Sequence, residues 1–461
     1  MRDVKNMKDI ILVDGKQSIS ADKTLLSFFG GVGEIGGNKI LLHDKDVNVF
    51  LDFGKNFEKE NQFYENPYIT PREEKHLLEL NMLPKVAGLY RCDETNCDLD
   101  AIFITHPHTD HYYDIRFIKD CYPIYCGEAT CNIMKAMENS GHLYSVDYNI
   151  SKKNFKTYMT GDIIKNFDPI IVTPVHVEHS VPGSYGLIIE TANGNIVYTG
   201  DLRMQGSNKS LTEDFIKKAQ ITDPDILIIE GTNIDYSKIE TEEEVKYKID
   251  KVVSKTKGLI LAGFNRTDID RLRSFYNVAI TQGRILVLSM KQAYLVHKLK
   301  DDSHLDTFNV NDPNVRVFVR NKKTIAAYEK EIASEYDVID AQDVNKMQNK
   351  VIMVASLYDM NEMADIKPVA NSVYILSTSE PFDEVGEFKL DKLKNWLNHY
   401  GIPIFNIHAS GHADAHELRE IIERINPKRI IPIHTARPEL FQKFVADIGK
   451  VELPVNLSDK I

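Results

Sequence analysis

Six residues constrain this chain more than any other feature. His106-Pro107-His108-Thr109-Asp110-His111 follows directly on the apolar run DAIFIT, which reads as a buried strand. Side chains alternate in direction along a strand and its immediate exit. His106 and His108 can therefore point to one side of the loop while Asp110 and His111 turn to the other. One short loop of this kind can hold two adjacent metal ions. Imidazole suits zinc, and the mixture of nitrogen and oxygen donors also admits manganese. A lone histidine on an apolar strand is usually structural. Three histidines and an aspartate within six residues are instead a metal motif, to be confirmed by its context.

That context is spread along the chain. His179 stands in EHSVPGSYG, Asp201 ends the strand-like run NIVYTGD, and His434 ends RIIPIH. Asp52 and Glu230 close two further apolar runs, VNVFLD and DILIIE, and His408 and His412 fall in HASGHA. Taken singly, each would more often be a capping or surface residue. All of them sit at strand ends or loops, where a rigid scaffold holds reactive groups. Together they can complete two coordination shells.

With 461 residues the chain is too long for one core, since domains run to ~100–200 residues. Residues 24–52 read as a glycine-punctuated hairpin. Gly31, Gly33 and Gly36 match a dinucleotide-loop spacing, but β-rich runs follow them where that motif needs a helix, so tight turns are expected. The polar stretch 53–98 is expected to be a lid or insertion over a cleft. After Gly231 the texture becomes α/β, with Thr241 and Glu244 spaced as a capping box. The expected division is 1–234, an inserted α/β unit at 235–395, and 396–461, in which IPIFNIHA and KRIIPIH resume the first texture as strands.

The net charge of −12 argues against indiscriminate coating of nucleic acid, though not against a cleft that holds phosphate through bound cations. Five cysteines include no pair with the two-residue spacing of a zinc knuckle, so ordinary reduced thiols are expected. The N-terminal apolar run is too short for a signal peptide, and no run approaches the ~20 residues that span a bilayer. A cytoplasmic protein without a membrane partner is expected.

The sequence resembles the metallo-β-lactamase superfamily, and within it the β-CASP nucleases of the ribonuclease J group. GGVGEIGGNK, LDFGKNF, HPHTDH, HSVPGSYGL, TGDLR, IIEGT, HASGHA and IIPIH occur in that group's order, over residues 29–231 and 400–440. The resemblance implies an α/β protein, an αββα sandwich with an inserted β-CASP domain. It implies a metal-dependent ribonuclease, acting as a 5′-to-3′ exonuclease, an endonuclease or both, with two zinc ions per chain. His106, His108 and His179 would hold the first metal; Asp110, His111 and His434 would hold the second; Asp201 would bridge them. Asp52 and Glu230 would orient ligand imidazoles from behind, and His408 would support the site or simply be buried. His412 would contact the scissile phosphate and assist the leaving group, so that Asp110, Asp201 and His412 carry the chemistry. The partner would be RNA, single-stranded, and a homodimer remains open.

Ser410, Gly411, His412 and Ala413 lie just before a helix that starts near Asp414, where free N–H groups and Gly411 would let a phosphate approach. A plain helix cap is the competing reading. Tyr112 and Tyr113 follow the metal run where the resembling group carries small residues. They either pack beside the loop or offer a base-stacking surface. Arg266, Arg271 and Arg273 line either a nucleic-acid channel or a solvated helix face. The other histidines, His142 and His304 among them, match no ligand position. Two further classes stay in view: a hydrolase of a small ester or phosphodiester, which would not need so large an insertion, and a non-catalytic RNA-binding subunit, which would not need a full ligand set.

Overall fold

The computed structural model describes residues 10–13, 23–65, 68–141, 150–235, 240–302, 305, 308–379 and 384–459; His142 and His304 lie outside them. The described strands form three seven-stranded sheets. In the first, strands Ile10–Leu12, Thr24–Gly30, Lys39–Asp44, Val47–Phe53, Ala101–Ile104, Pro123–Gly127 and Asn154–Tyr158 lie side by side in chain order. In the second the order is Lys450–Val451, Arg429–Ile433, Ile226–Glu230, Gly194–Tyr198, Tyr185–Thr191, Ile170–His176 and Ile164–Phe167.

Strand alternation turns these two sheets into a sandwich. Phe28, Leu42, Leu51 and Phe103 of the first share one core with Leu187, Ile189, Ile228 and Ile431 of the second. The opposite faces are also apolar and each carries its own cover. Ile188 and Val197 join Phe215 of helix Lys209–Ile221 and Leu418 and Ile422 of helix Ala415–Ile425. Phe50, Ile102 and Ile104 join a separate cluster with Leu77, Met82, Leu83 and Ile115. The stretch 53–98 therefore differs from the expected lid. Its helices Phe57–Phe63 and Glu74–Glu79 and the buried Leu83, Leu89 and Tyr90 cover the outer face of the first sheet. Its apolar residues lack a period because they serve a sheet face from short, irregular pieces.

Glycines 31, 33, 36 and 37 all have positive φ and lie in the bends between Thr24–Gly30 and Lys39–Asp44, as turns and not as a dinucleotide loop. The second sheet closes only through its last segment: Ile226–Glu230 runs parallel to Arg429–Ile433, with Glu230 opposite Ile433.

The chain between these strands builds the third sheet, entirely parallel, in the order Val338–Ile339, Val315–Phe318, Ile285–Ser289, Val351–Val354, Ile260–Phe264, Val373–Ser377 and Ile404–Asn406. Both faces are buried, as a parallel sheet requires. Helix Glu242–Lys255 opens on the expected Thr241–Glu244 capping box. The expected boundary at 395 falls inside helix Glu384–His399, and strand Ile404–Asn406 extends the inserted sheet instead of the sandwich. A short edge strand has no pattern that names its partner, and Tyr374 opposite Ile404 settles the matter. No helix among the described residues is long and apolar enough to cross a membrane.

Candidate metal centre

Strands Val47–Phe53, Ala101–Ile104, Gly194–Tyr198, Ile226–Glu230 and Arg429–Ile433 deliver Asp52, His106, Asp201, Glu230 and His434 to one edge of the sandwich. The loop after His106 turns at once into the short helix Thr109–Tyr112, which swings Asp110 and His111 across from His106 and His108. The glycine-rich turn packs against this helix: Asn38 N donates to Asp110 O at 3.1 Å. A Cβ on Gly36, whose φ is +80°, would stand 2.6 Å from Asp110 Oδ2. Only glycine suits a positive φ at so close an approach.

Two ligand groups meet at Asp201. His106, His108, His179 and Asp201 present donor atoms within 4.8 Å of one another, and so do Asp110, His111 and His434. His108 Nδ1 is 3.1 Å from His106 Nε2 and 3.0 Å from His179 Nε2. His434 Nε2 is 3.1 Å from Asp110 Oδ2. Asp201 Oδ2 faces both groups, 3.5 Å from His106 Nε2 and 3.2 Å from His111 Nε2. All seven residues expected as ligands are thus brought together.

The donor set fits metal ions. His111 Nε2 and Asp201 Oδ1 are buried and have no hydrogen-bond partner. Such atoms are costly to bury unless something else binds them. Burial holds His106 and His179 well below the ordinary histidine range and pushes His108 down to about 4, so these imidazoles are neutral and free to ligate. Burial would also lower His111, but the carboxylates of Asp201 and Asp52 outweigh it and hold the ring well above its usual range. Those carboxylates call for positive charge at this point, which a divalent cation supplies as well as a proton does.

Three of the imidazoles are fixed from behind. Asp52 Oδ2 is 2.7 Å from His111 Nδ1 and also accepts from Tyr198 at 2.7 Å and from Thr105. Gly411 O takes His179 Nδ1 at 2.5 Å. Thr232 Oγ1 lies 2.8 Å from His434 Nδ1. Asp52 and His434 both carry left-handed backbone, φ +57° and +53°, unusual for non-glycine residues. Glu230 differs from its expected place behind a ligand: both its oxygens lie 3.0 Å from His412 Nδ1. His412 Nδ1 is also 3.8 Å from Asp201 Oδ2. Burial lowers His412, yet Glu230 and Asp201 outweigh it and push the ring up to about 9.

The expected phosphate cradle is only partly present. His412 N donates to Ser410 Oγ, Ala413 N to Leu202 O at 2.7 Å, and Asp414 N to Glu417. Asp414 is the N-cap of helix Ala415–Ile425 in a full capping box. The N–H groups of His412, Ala413 and Asp414 are therefore used within the protein. What the loop presents toward Asp201 is the His412 ring. Gly411 allows the close approach, since a Cβ there would meet Ser180 Oγ at 2.6 Å. His408 lies away from the ligands, 3.3 Å from Arg271 Nη1. Arg271 itself is fully buried on Glu242 and Ser377, on neither a channel nor a solvated face. Tyr112 is buried in the apolar cluster with Phe50 and Phe53. Tyr113 is partly buried, with the Arg116 guanidinium 4.0 Å from its ring centre.

Sequence reading missed Thr232, Tyr198 and Thr105. Thr232 follows Glu230 by two residues in IIEGT and Thr105 precedes His106, so each lay beside a residue already singled out.

Known proteins share this architecture. A β-lactamase superfamily domain matches residues 86–252, and a Zn-dependent metallo-hydrolase RNA specificity domain matches residues 390–448. Ribonuclease J of Mycoplasma genitalium is 22% identical over 440 residues, 90% of this chain and 68% of that protein. Ribonuclease J of Thermus thermophilus is 22% identical over 460 residues, covering 94% and 72%. A crystal structure of an Enterococcus faecalis protein of unknown function superposes with a TM-score of 0.73 at 22% identity, covering 94% of this chain and 98% of that one, which shows the shared fold. The chain therefore carries a β-lactamase superfamily domain and a Zn-dependent metallo-hydrolase RNA specificity domain, and it is ribonuclease J-like in sequence.

Proposed function

We propose that the chain is a ribonuclease that hydrolyses phosphodiester bonds of single-stranded RNA with two zinc ions, or manganese in their place. The observation that carries this reading is Asp201, whose Oδ2 faces both ligand groups while His412 stands 3.8 Å away. His106, His108 and His179 would hold one ion, Asp110, His111 and His434 the other, with Asp201 common to both. Bound there, two divalent ions supply an acidified water and charge stabilisation for the attacking and leaving oxygens.

The protein's own groups do the rest. Glu230 takes the Nδ1 side of His412 and keeps the ring charged, so Nε2 carries a proton that can pass to the departing ribose oxygen. Asp52, Gly411 and Thr232 keep His111, His179 and His434 in single orientations.

The test is zinc- or manganese-loaded protein with 5′-monophosphate and 5′-triphosphate RNAs labelled at either end. Asp201→Ala and His434→Ala should each abolish cleavage; undiminished cleavage by either variant would overturn the proposal. Ladders from the two labels separate 5′-to-3′ trimming from internal cuts. Turnover of a small phosphodiester or ester without RNA cleavage would favour the small-substrate reading instead.

A further inference from the structure

Behind the metal edge lies a buried ionic network that the chemistry above does not use. Arg203, two residues after Asp201, is fully buried. Its Nη2 donates to Glu178 Oε1 at 3.0 Å, one residue before His179. Its Nη1 donates to Ser410 O at 3.1 Å, in the loop that bears His412, and to Glu242 Oε1 at 2.9 Å. Glu242 is the first residue of helix Glu242–Lys255 in the inserted unit and is itself 3% exposed. The same Glu242 oxygen accepts from Arg271 Nη2 at 2.8 Å, and Arg271 Nη1 donates to Ser377 O at the end of an inserted strand. Nearby, Gln205 Nε2 donates to His412 O at 2.9 Å.

One guanidinium thus touches the segment before a metal ligand, the loop of the proposed proton donor, and the first turn of the inserted unit. Its planar fork can satisfy three partners at fixed angles, which a lysine cannot do. Buried ion pairs of this kind contribute little net stability against apolar replacements. Their use is in holding one arrangement.

We infer that Arg203 is a positioning residue through which the inserted unit, by way of Glu242, sets the loop that carries His412. This deepens the ribonuclease reading and rests on it. The inserted unit then does more than enclose substrate: its seating decides whether His412 is in place.

The experiment uses the full, zinc-loaded chain with Arg203→Lys, Glu242→Gln, His412→Ala and the double variant Arg203→Lys/His412→Ala. Amide exchange by mass spectrometry and kcat and KM on single-stranded RNA are read together with zinc content. Glu242→Gln and Arg203→Lys should speed exchange across residues 409–414 about 10-fold or more while the sandwich strands stay protected. Their kcat should fall about 10-fold or more with KM and zinc content within about threefold. In the His412→Ala background, Arg203→Lys should cost less than about twofold, because a group acting through His412 has nothing left to act on. Unchanged loop exchange in both single variants, or an Arg203→Lys effect that persists in full without His412, would overturn the inference. If the wild-type chain fails to cleave RNA, the functional reading falls, and loop exchange alone decides this one.

Discussion

Asp52 Oδ2 lies 2.7 Å from Nδ1 of His111, and both side chains are wholly buried. The carboxylate also accepts from Tyr198 and Thr105, so its own position is over-determined. This bond turns the opposite nitrogen, Nε2, toward Asp201 at 3.2 Å. Asp52→Asn keeps the volume but loses the charge behind the imidazole. Metal affinity should fall roughly 10–100-fold, with activity recovered at high metal concentration. Competition titration against a chromogenic chelator measures it.

Metal removal should also cost stability. Two buried atoms, His111 Nε2 and Asp201 Oδ1, have no hydrogen-bond partner within the protein. At a free metal concentration 100 times Kd, bound metal adds about 2.7 kcal/mol per site. Chelation should therefore lower Tm by roughly 5–10 °C, reversibly, on addition of zinc or manganese. A calorimetric scan before and after chelation reads the shift.

Gly36→Ala tests the approach of the glycine turn to the metal helix. Its Cβ would stand 2.6 Å from both Cβ and Oδ2 of Asp110, at a φ of +80°. The sandwich core is remote from the change, so the chain should fold. It should lose about one equivalent of metal, read by elemental analysis, and most of its activity.

The two tyrosines after the metal run should separate cleanly. Tyr112→Ala empties a buried site and should cost about 3–5 kcal/mol of unfolding free energy. Tyr113→Ala removes a partly buried ring beneath Arg116 and should cost about 1 kcal/mol or less. Denaturant titration of both variants reads the difference.

Glu417 supplies a pH signature. Burial pushes its carboxyl up to about 7, with bonds from Asp414 N and Met204 N offsetting part of the rise. A raised carboxyl stabilises the native state most when protonated. That contribution is whole below about pH 4.5 and is lost as pH rises to about 7. The nominal ~3 kcal/mol shrinks to ~1 kcal/mol for a partly exposed group. Glu417→Gln should therefore flatten this descent and be about 1 kcal/mol more stable than the parent at pH 8, while matching it at pH 4.

The candidate ligands were legible because ligation demands particular atoms at strand ends, and His106, Asp201 and His434 each close an apolar run. The inserted unit was legible from its β–α alternation. What escaped was whatever depends on the third dimension. The edge strand Ile404–Asn406 could have joined either sheet. His412 and Ala413 looked like free donors until Ser410 and Leu202 were seen to take their N–H groups. Glu230 reads as one more acid at a strand end, and only packing assigns it to His412. The left-handed backbone at Asp52 and His434 leaves no mark in residue type at all.

The parallel pairing of Ile226–Glu230 with Arg429–Ile433 also sets an order in time. During translation the HPHTDH loop emerges early, yet the candidate group of Asp110, His111 and His434 stays incomplete until His434 has left the ribosome. A stalled or truncated chain ending anywhere in the inserted unit would carry six of the seven candidate ligands and lack His434.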